Sequence, residues 1–518
     1  MILFKKELLV AGILLILAWF SNPPHLINMI NGVLFFYFLF RYLLLLLIDN
    51  DISCIDKKYL INRFNIFLII HGFIFLMLVG YYLEFDFFIE SLIPALGQDS
   101  QAYNIMGEEY ARSLIKGEHV SFENPKHIER MMRAGSYVTL VGLIYYFFDF
   151  SLTLAIGINI FFVISYSIIL YILLNNIFNS SVAKIGMYFS AFIPSIFLNE
   201  LGLFKDIFVT FSFIILSLFA YKFVNKKQKT DLFMLVLFMV ILFYLRFYYL
   251  IPIILYFGYI YLFKKISIKR TLVTILMLTA IVILLPKIIS IGLGGNVLQH
   301  LYYQGYDMDI YSSGSHITLK LNKINLANPL LLFTTILNNS KYFFTTILKI
   351  VLVPWIYPRI YYIPWLSYPA SDPMWVFHLF NYITTIIKWM LIFIGFNGFF
   401  KLFKNKDSEI IWISLLFIPL LVDLFILGTG SRYLGALLPY VFACYAIGFK
   451  DKKTVKLFFI LSIILSFALI MFINKNTIPI SSSILIISSY ALFYIFNNAY
   501  TNFSKLQRYL YKNVLHIR

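Results

Sequence analysis

Three short stretches hold the charged residues best suited to chemistry in an otherwise apolar chain. In "ALGQDSQAYNIMGEEYARSLIKGE", residues 95–118, Asp99 precedes Tyr103, Met106, Tyr110 and Leu114, which recur at helical spacing, with Gly117 beyond them. This spacing predicts a helix from Ser100 to Lys116 that ends at Gly117. In "NELGLFKDIFV", Glu200, Lys205 and Asp206 fall between two apolar runs, and in "GTGSRYLGALLPY" Arg432 follows Gly428, Gly430 and Ser431. Two carboxylates at the heads of neighbouring helices can supply a general base and a second charge, or hold a metal. A guanidinium at a membrane surface suits a lipid phosphate, because its planar fork engages two oxygens at once. The same residues also have plainer uses. Asp99 or Ser100 suits a helix N-cap, Glu200 and Asp206 suit snorkelling at helix ends, and Arg432 suits an interfacial anchor. Glu108, Glu109 and Glu118 read as a solvated helix face.

The elements that position these residues follow from composition. Of 518 residues, 61% are hydrophobic and 13% charged, and mean hydropathy is +0.85. A water-soluble globule of that composition would lack polar residues to cover its surface. Apolar runs of roughly 17–25 residues, separated by short Lys-rich stretches, are the pattern of spanning helices, and the ten-residue alternation of a barrel is absent. The chain therefore reads as an all-α polytopic integral membrane protein. Its formal charge of +18 is scattered at the ends of apolar runs, without the basic stripe that nucleic acid requires, so no nucleic-acid partner is expected. Cys54 and Cys444 are the only cysteines, which argues against a disulfide framework.

With the amino terminus in the cytoplasm, about fourteen spans are expected, near 8–20, 26–48, 64–83, 151–174, 182–198, 207–223, 232–245, 248–263, 271–286, 376–400, 410–427, 433–449, 456–473 and 478–496. The first run, "LLVAGILLILAWF", is read as a retained span because "SNPP" follows it without a small-x-small cleavage site. Segments placed inside then hold about 25 basic residues in roughly 85 positions, and those outside about 15 in roughly 165, as the positive-inside rule requires. Both termini are cytoplasmic in this arrangement, which is a single membrane domain spanning 1–518. Two outer loops are long, 84–150 and 287–375. Each holds an apolar piece, "SYVTLVGLIYYFFDF" and "PLLLFTTILNNSKYFFTTILKIVLVPW", expected to lie along the outer interface or re-enter it.

Other polar residues are weighed by position. Arg246 in "FYLRFYYLIP" is placed near the outer turn of a short hairpin, where it could add a second phosphate ligand or snorkel. Asp423, nine residues before Arg432, suits a buried ion pair. His119, His127, His300 and His316 lack metal-ligand spacing, and "GLGGN" lacks the Lys and the strand–helix context of a phosphate loop.

The ordered set "D…Y…A..L..G", "GSYVTLVGLIYYFFDFS", "YILLNNIFNSS", "VAKIGMYFSAFIPSIF" and an acid opening the next span resembles the GT-C fold of lipid-carrier-dependent glycosyltransferases. Protein O-mannosyltransferases, aminoarabinose transferases and oligosaccharyltransferase catalytic subunits share that fold. The resemblance covers Asp99 to about Tyr221. It implies that Asp99 is the first-loop catalytic acid, flanked by Tyr103 and Gly117, that Pro194 is the proline late in the following span, and that Asp206 is the second-loop acid. Tyr137 corresponds to the interfacial tyrosine, although Gly135-Ser136 replaces the usual proline before it. "VLVPWIYPRIYYIPW" and "GTGSRYLGALLPY" are similar to later pieces of the fold. The resemblance implies a cytoplasmic-membrane glycosyltransferase of cell-surface glycan assembly, moving a sugar from a polyprenyl-phosphate-linked donor to a glycan, lipid or protein acceptor on the extracytoplasmic face. Asp99 and Asp206 are the expected catalytic acids. Arg432, Arg246, Tyr103, Tyr137 and Lys205 are the expected substrate-binding residues. No cofactor is expected: a divalent metal would lack its D-x-D motif, since Ser100 follows Asp99 and Lys205 precedes Asp206. A polysaccharide polymerase or ligase, and a lipid-linked sugar flippase or transporter, are the alternatives.

Overall fold

A computed structural model describes residues 7–15, 25–49, 54–83, 98–118, 125–193, 202–203, 205–226, 229–246, 249–264, 397–405, 407–426 and 437–449, with isolated positions at 196–197, 200, 379–380, 383, 391 and 394–395. Among the described residues the structure is all-helical. The helices are α1 His25–Asp49, α2 Cys54–Leu83, α3 Gln98–Lys116, α4 Pro125–Phe147, α5 Leu152–Ile177, α6 Ser180–Phe192, α7 Lys205–Lys226, α8 Lys229–Arg246, α9 Leu250–Lys264, α10 Glu409–Ile426 and α11 Leu438–Phe449. Four segments, Ile27–Ile48, Asp56–Val79, Leu152–Ile177 and Lys205–Asn225, are long and apolar enough to cross a membrane, which fits a helical membrane protein. The predicted spans near 271–286, 456–473 and 478–496 and the loop 287–375 lie outside the described residues.

Apolar patterning decides which helices are central. In the 18-residue apolar windows of the four spans, 94% of residues are buried in Leu152–Ile177 and 83% in Lys205–Asn225, against 28% in each of the other two, so α5 and α7 form the middle and α1 and α2 the rim. α5 is apolar on every face, as a helix packed on all sides must be. Phe40 of α1 stacks on Phe161 of α5 at 5.5 Å and meets Phe211 of α7 at 5.9 Å, locking the rim to the middle. Ser151 caps α5 by accepting a hydrogen bond from the Leu154 amide.

The acid-bearing segment forms α3, which closes as its spacing predicts. Gly117 adopts φ +68°, while its amide donates to Leu114 O and the Glu118 amide to Ser113 O at 3.2 and 3.0 Å. That pair of bonds is a Schellman closure, which needs a left-handed residue. α3 and α4 then pack as a hairpin with glycine at the tightest approach: a Cβ on Gly142 would lie 2.5 Å from the Tyr110 ring. The sequence places α4 along the interface or re-entering it. In the structure its second half packs against α3, α5 and α8, with Tyr137, Val138 and Val141 buried. Asp149 and Phe150, both left-handed, turn the chain from α4 into α5, and the Arg112 guanidinium covers the Phe150 ring at 5.1 Å.

The span expected over 182–198 ends early. α6 stops at Phe192, and Ile193 is extended, with φ −71° and ψ 130°. Pro194 follows it, and the ring of a proline crowds the helical conformation out of the preceding residue. Glu200, Gly202 and Leu203, between α6 and α7, are all buried. Polar backbone at that depth must be satisfied inside the protein.

Candidate functional site

The buried connection between α6 and α7 is tied to α5 and α3 by two polar contacts, and these define the site. Asn159, seven residues into α5, donates to Gly202 O at 2.7 Å. The Leu203 amide donates to Ser100 Oγ at 2.9 Å. Ser100 is fully buried, so its hydroxyl joins the first turn of α3 to the segment leading into Asp206. Asp99 lies in that same first turn. The side chain of Asp99, and Arg432 altogether, lie outside the described residues.

Asp206 opens α7 beside Lys205, where a carboxylate is favoured by the unsatisfied amides of a helix start. Arg246 is the last residue of α8, where a cation is favoured for the converse reason. The two helices meet so that the Arg246 guanidinium donates to the Asp206 carboxylate, with side-chain exposures of 5% and 19%. Both charges are thus largely out of water and compensated by one another.

Tyr137 of α4 reaches the same place. Its ring is fully buried and sits edge-on to Tyr103 of α3 at 5.3 Å. Burial pushes the Tyr137 phenol up, the Asp206 carboxylate adds to that shift, and Asn159 opposes it. The phenol therefore keeps its proton and can donate a hydrogen bond. Tyr137 Oη and Asn159 Oδ1 are buried with no well-formed hydrogen bond among the described residues, although the Asn159 side chain lies near enough to act on the phenol. A donor and an acceptor left open beside a carboxylate–guanidinium pair can receive a hydroxyl or a phosphate oxygen.

Four residues singled out by sequence, Tyr103, Tyr137, Asp206 and Arg246, thus come together at one end of the bundle, with Lys205 adjoining and the Asp99 turn tied in through Ser100. Asn159 and His71 were missed. Asn159 carried a signal, an amide inside the apolar run "SLTLAIGINIFFVISY", where polar side chains are rare without a partner. Glu200 reads as a snorkelling acid in the sequence, yet it is 1% exposed and its Oε1 lies 2.7 Å from Nδ1 of the fully buried His71 on α2. Phe192 and Phe197 flank that imidazole at 5.5 and 4.9 Å. His71 stands alone in its apolar run, so nothing local announces its partner. Among the described residues no group of three His, Cys, Asp or Glu side chains gathers.

No family model matches this chain, and no curated protein sequence matches it.

Proposed function

We propose that this protein is a membrane glycosyltransferase that moves a sugar from a polyprenyl-phosphate-linked donor to an acceptor on the extracytoplasmic face of the cytoplasmic membrane, in cell-surface glycan assembly. The observation that carries the reading is the convergence of Asp206, Arg246 and the open Tyr137 and Asn159 atoms next to the Asp99 turn. In this mechanism the acceptor oxygen attacks the anomeric carbon, the bond from that carbon to the phosphate oxygen breaks, and the carrier phosphate leaves with the electron pair. Asp99 takes the acceptor proton as general base. Arg246, together with Arg432, meets the charge growing on the leaving phosphate. A guanidinium suits a phosphate by charge and geometry, and a low-dielectric site strengthens such contacts. Asp206 holds Arg246 in place. Tyr137 donates to a sugar or phosphate oxygen, and Tyr103 fixes the Tyr137 ring. The glycan polymerase or ligase variant uses the same leaving-group chemistry with a longer donor.

A second reading, a lipid-linked sugar transporter, is favoured by the interrupted helix after Phe192 and the buried His71–Glu200 pair, because transporters build sites at broken helices. Proteoliposomes holding purified protein and a radiolabelled polyprenyl-phosphate sugar, with acceptor outside, separate the two. Transfer of label to a water-soluble or lipid acceptor supports the enzyme. Movement of intact donor between leaflets without cleavage replaces it with the transporter.

A further inference from the structure

At the other end of α5, a second polar constellation lies outside the site already described. Tyr59 and Arg63 are one turn apart on α2, and Lys184 and Tyr188 are one turn apart on α6. The two pairs cross. The Arg63 guanidinium lies 4.9 Å from the Tyr59 ring centre and 5.9 Å from that of Tyr188, while Lys184 Nζ lies 4.9 Å from the Tyr59 ring centre. The two phenol oxygens are 3.4 Å apart. Tyr59 also packs on Tyr171, twelve residues along α5 from Asn159, which places this group about 18 Å along the helix axis from the Asp206 end.

Two cations share one ring, and neither meets a carboxylate among the described residues. Arg41 on α1, by contrast, is met by Glu7 at 2.9 Å. Arg63 Nε is buried without a hydrogen-bond partner. Tyrosine faces attract cations, but they do not remove the repulsion between two of them. An anion placed between Arg63 and Lys184 would do so, and whichever tyrosine hydroxyl does not donate to the other adds a donor for its oxygens. The surface leading away from Arg63 is apolar and open: Ile66, Ile70, Phe73 and Met77 continue its stripe along α2, exposed at 40%, 38%, 63% and 62%. From Arg63 to Met77 the helix rises about 21 Å, longer than half of a hydrocarbon core of about 30 Å.

We propose that Arg63, Lys184 and the Tyr59 and Tyr188 hydroxyls form a binding site for the phosphate of a membrane lipid whose headgroup is net negative and whose acyl chain lies along the Ile66–Met77 stripe of α2. The site is independent of the sugar-transfer reading. It commits to a phosphate-headed lipid and not a free anion, because the cationic pair opens onto a lipid-facing apolar stripe.

The test is native mass spectrometry of the full-length protein released from bilayers of equal phosphatidylglycerol and phosphatidylcholine. Wild type is expected to retain phosphatidylglycerol in preference. In Arg63→Gln/Lys184→Gln the preference is expected to fall about thirtyfold, from roughly fivefold for each lost cation near the headgroup. Arg63→Lys is expected to keep most of it. Lys184 is exposed, so Lys184→Gln alone tests the site should the double variant fail to fold, with a loss of about fivefold. An unchanged preference in folded Lys184→Gln overturns the site. Displacement of the lipid by inorganic phosphate at equal concentration overturns the lipid as its occupant.

Discussion

Arg246 keeps its charge in a largely buried position because Asp206 faces it, so the pair fails asymmetrically. Asp206→Asn leaves a buried cation half-compensated and is expected to lower stability by about 2 kcal/mol and sugar transfer by about 10²-fold, read from thermal unfolding and a transfer assay. Tyr137→Phe discriminates more finely. Its hydroxyl makes no well-formed hydrogen bond among the described residues, so removing it is expected to leave the unfolding midpoint unchanged or slightly raised while transfer falls. A loss of stability without loss of transfer would show that the hydroxyl has only a structural role. His71→Ala strands the Glu200 carboxylate in an apolar setting and is expected to cost about 3–5 kcal/mol, whereas Glu200→Gln keeps a hydrogen bond to the imidazole and costs about 1 kcal/mol. Legibility at this scale divides by sequence distance. Asp206 and Arg246 each sit at a helix end that the hydropathy pattern marks, so both are assigned to the same end of the bundle, although their direct pairing is not visible in the sequence. Glu200 and His71 are 129 residues apart, and the snorkelling reading of Glu200 assumed water where the fold supplies an imidazole.

The helix over 100–116 and its stop at Gly117 were legible, because both depend on neighbours within a few residues. Gly117→Ala forces a side chain into the left-handed region and is expected to cost about 1 kcal/mol, with α3 loosened at its C-terminal end in hydrogen exchange. The early end of α6 had its signal in Pro194. Hydropathy runs on through "FIPSIFL", and a hydropathy window does not register the backbone restriction that proline places on Ile193. The packing of α4 was not legible. The sequence leaves it lying along the interface or re-entering it, and does not show its partners: α3, approaching at Gly107 and Gly142, and α8, where Ile241 O accepts from Ser136 at 3.4 Å.

At the scale of the whole molecule, α5 and α7 organise everything else, and a polar group sits toward each end of α5. One end joins Asn159, Tyr137, Asp206 and Arg246, and the other joins Tyr59, Arg63, Lys184 and Tyr188. In the proposed function the first end faces the extracytoplasmic side and the second the cytoplasm, the orientation expected from the distribution of lysine and arginine along the chain. A sugar transferase using an outward-facing carrier requires that assignment. Membrane-impermeant maleimide, applied to intact cells carrying a cysteine at position 99 in a Cys54→Ser/Cys444→Ser background, measures it most directly. Labelling of that cysteine from outside, with a native Cys54 control labelled only after permeabilisation, is the expected result. Labelling of position 99 only after permeabilisation would contradict it and remove the proposed site from the face where the sugar is delivered.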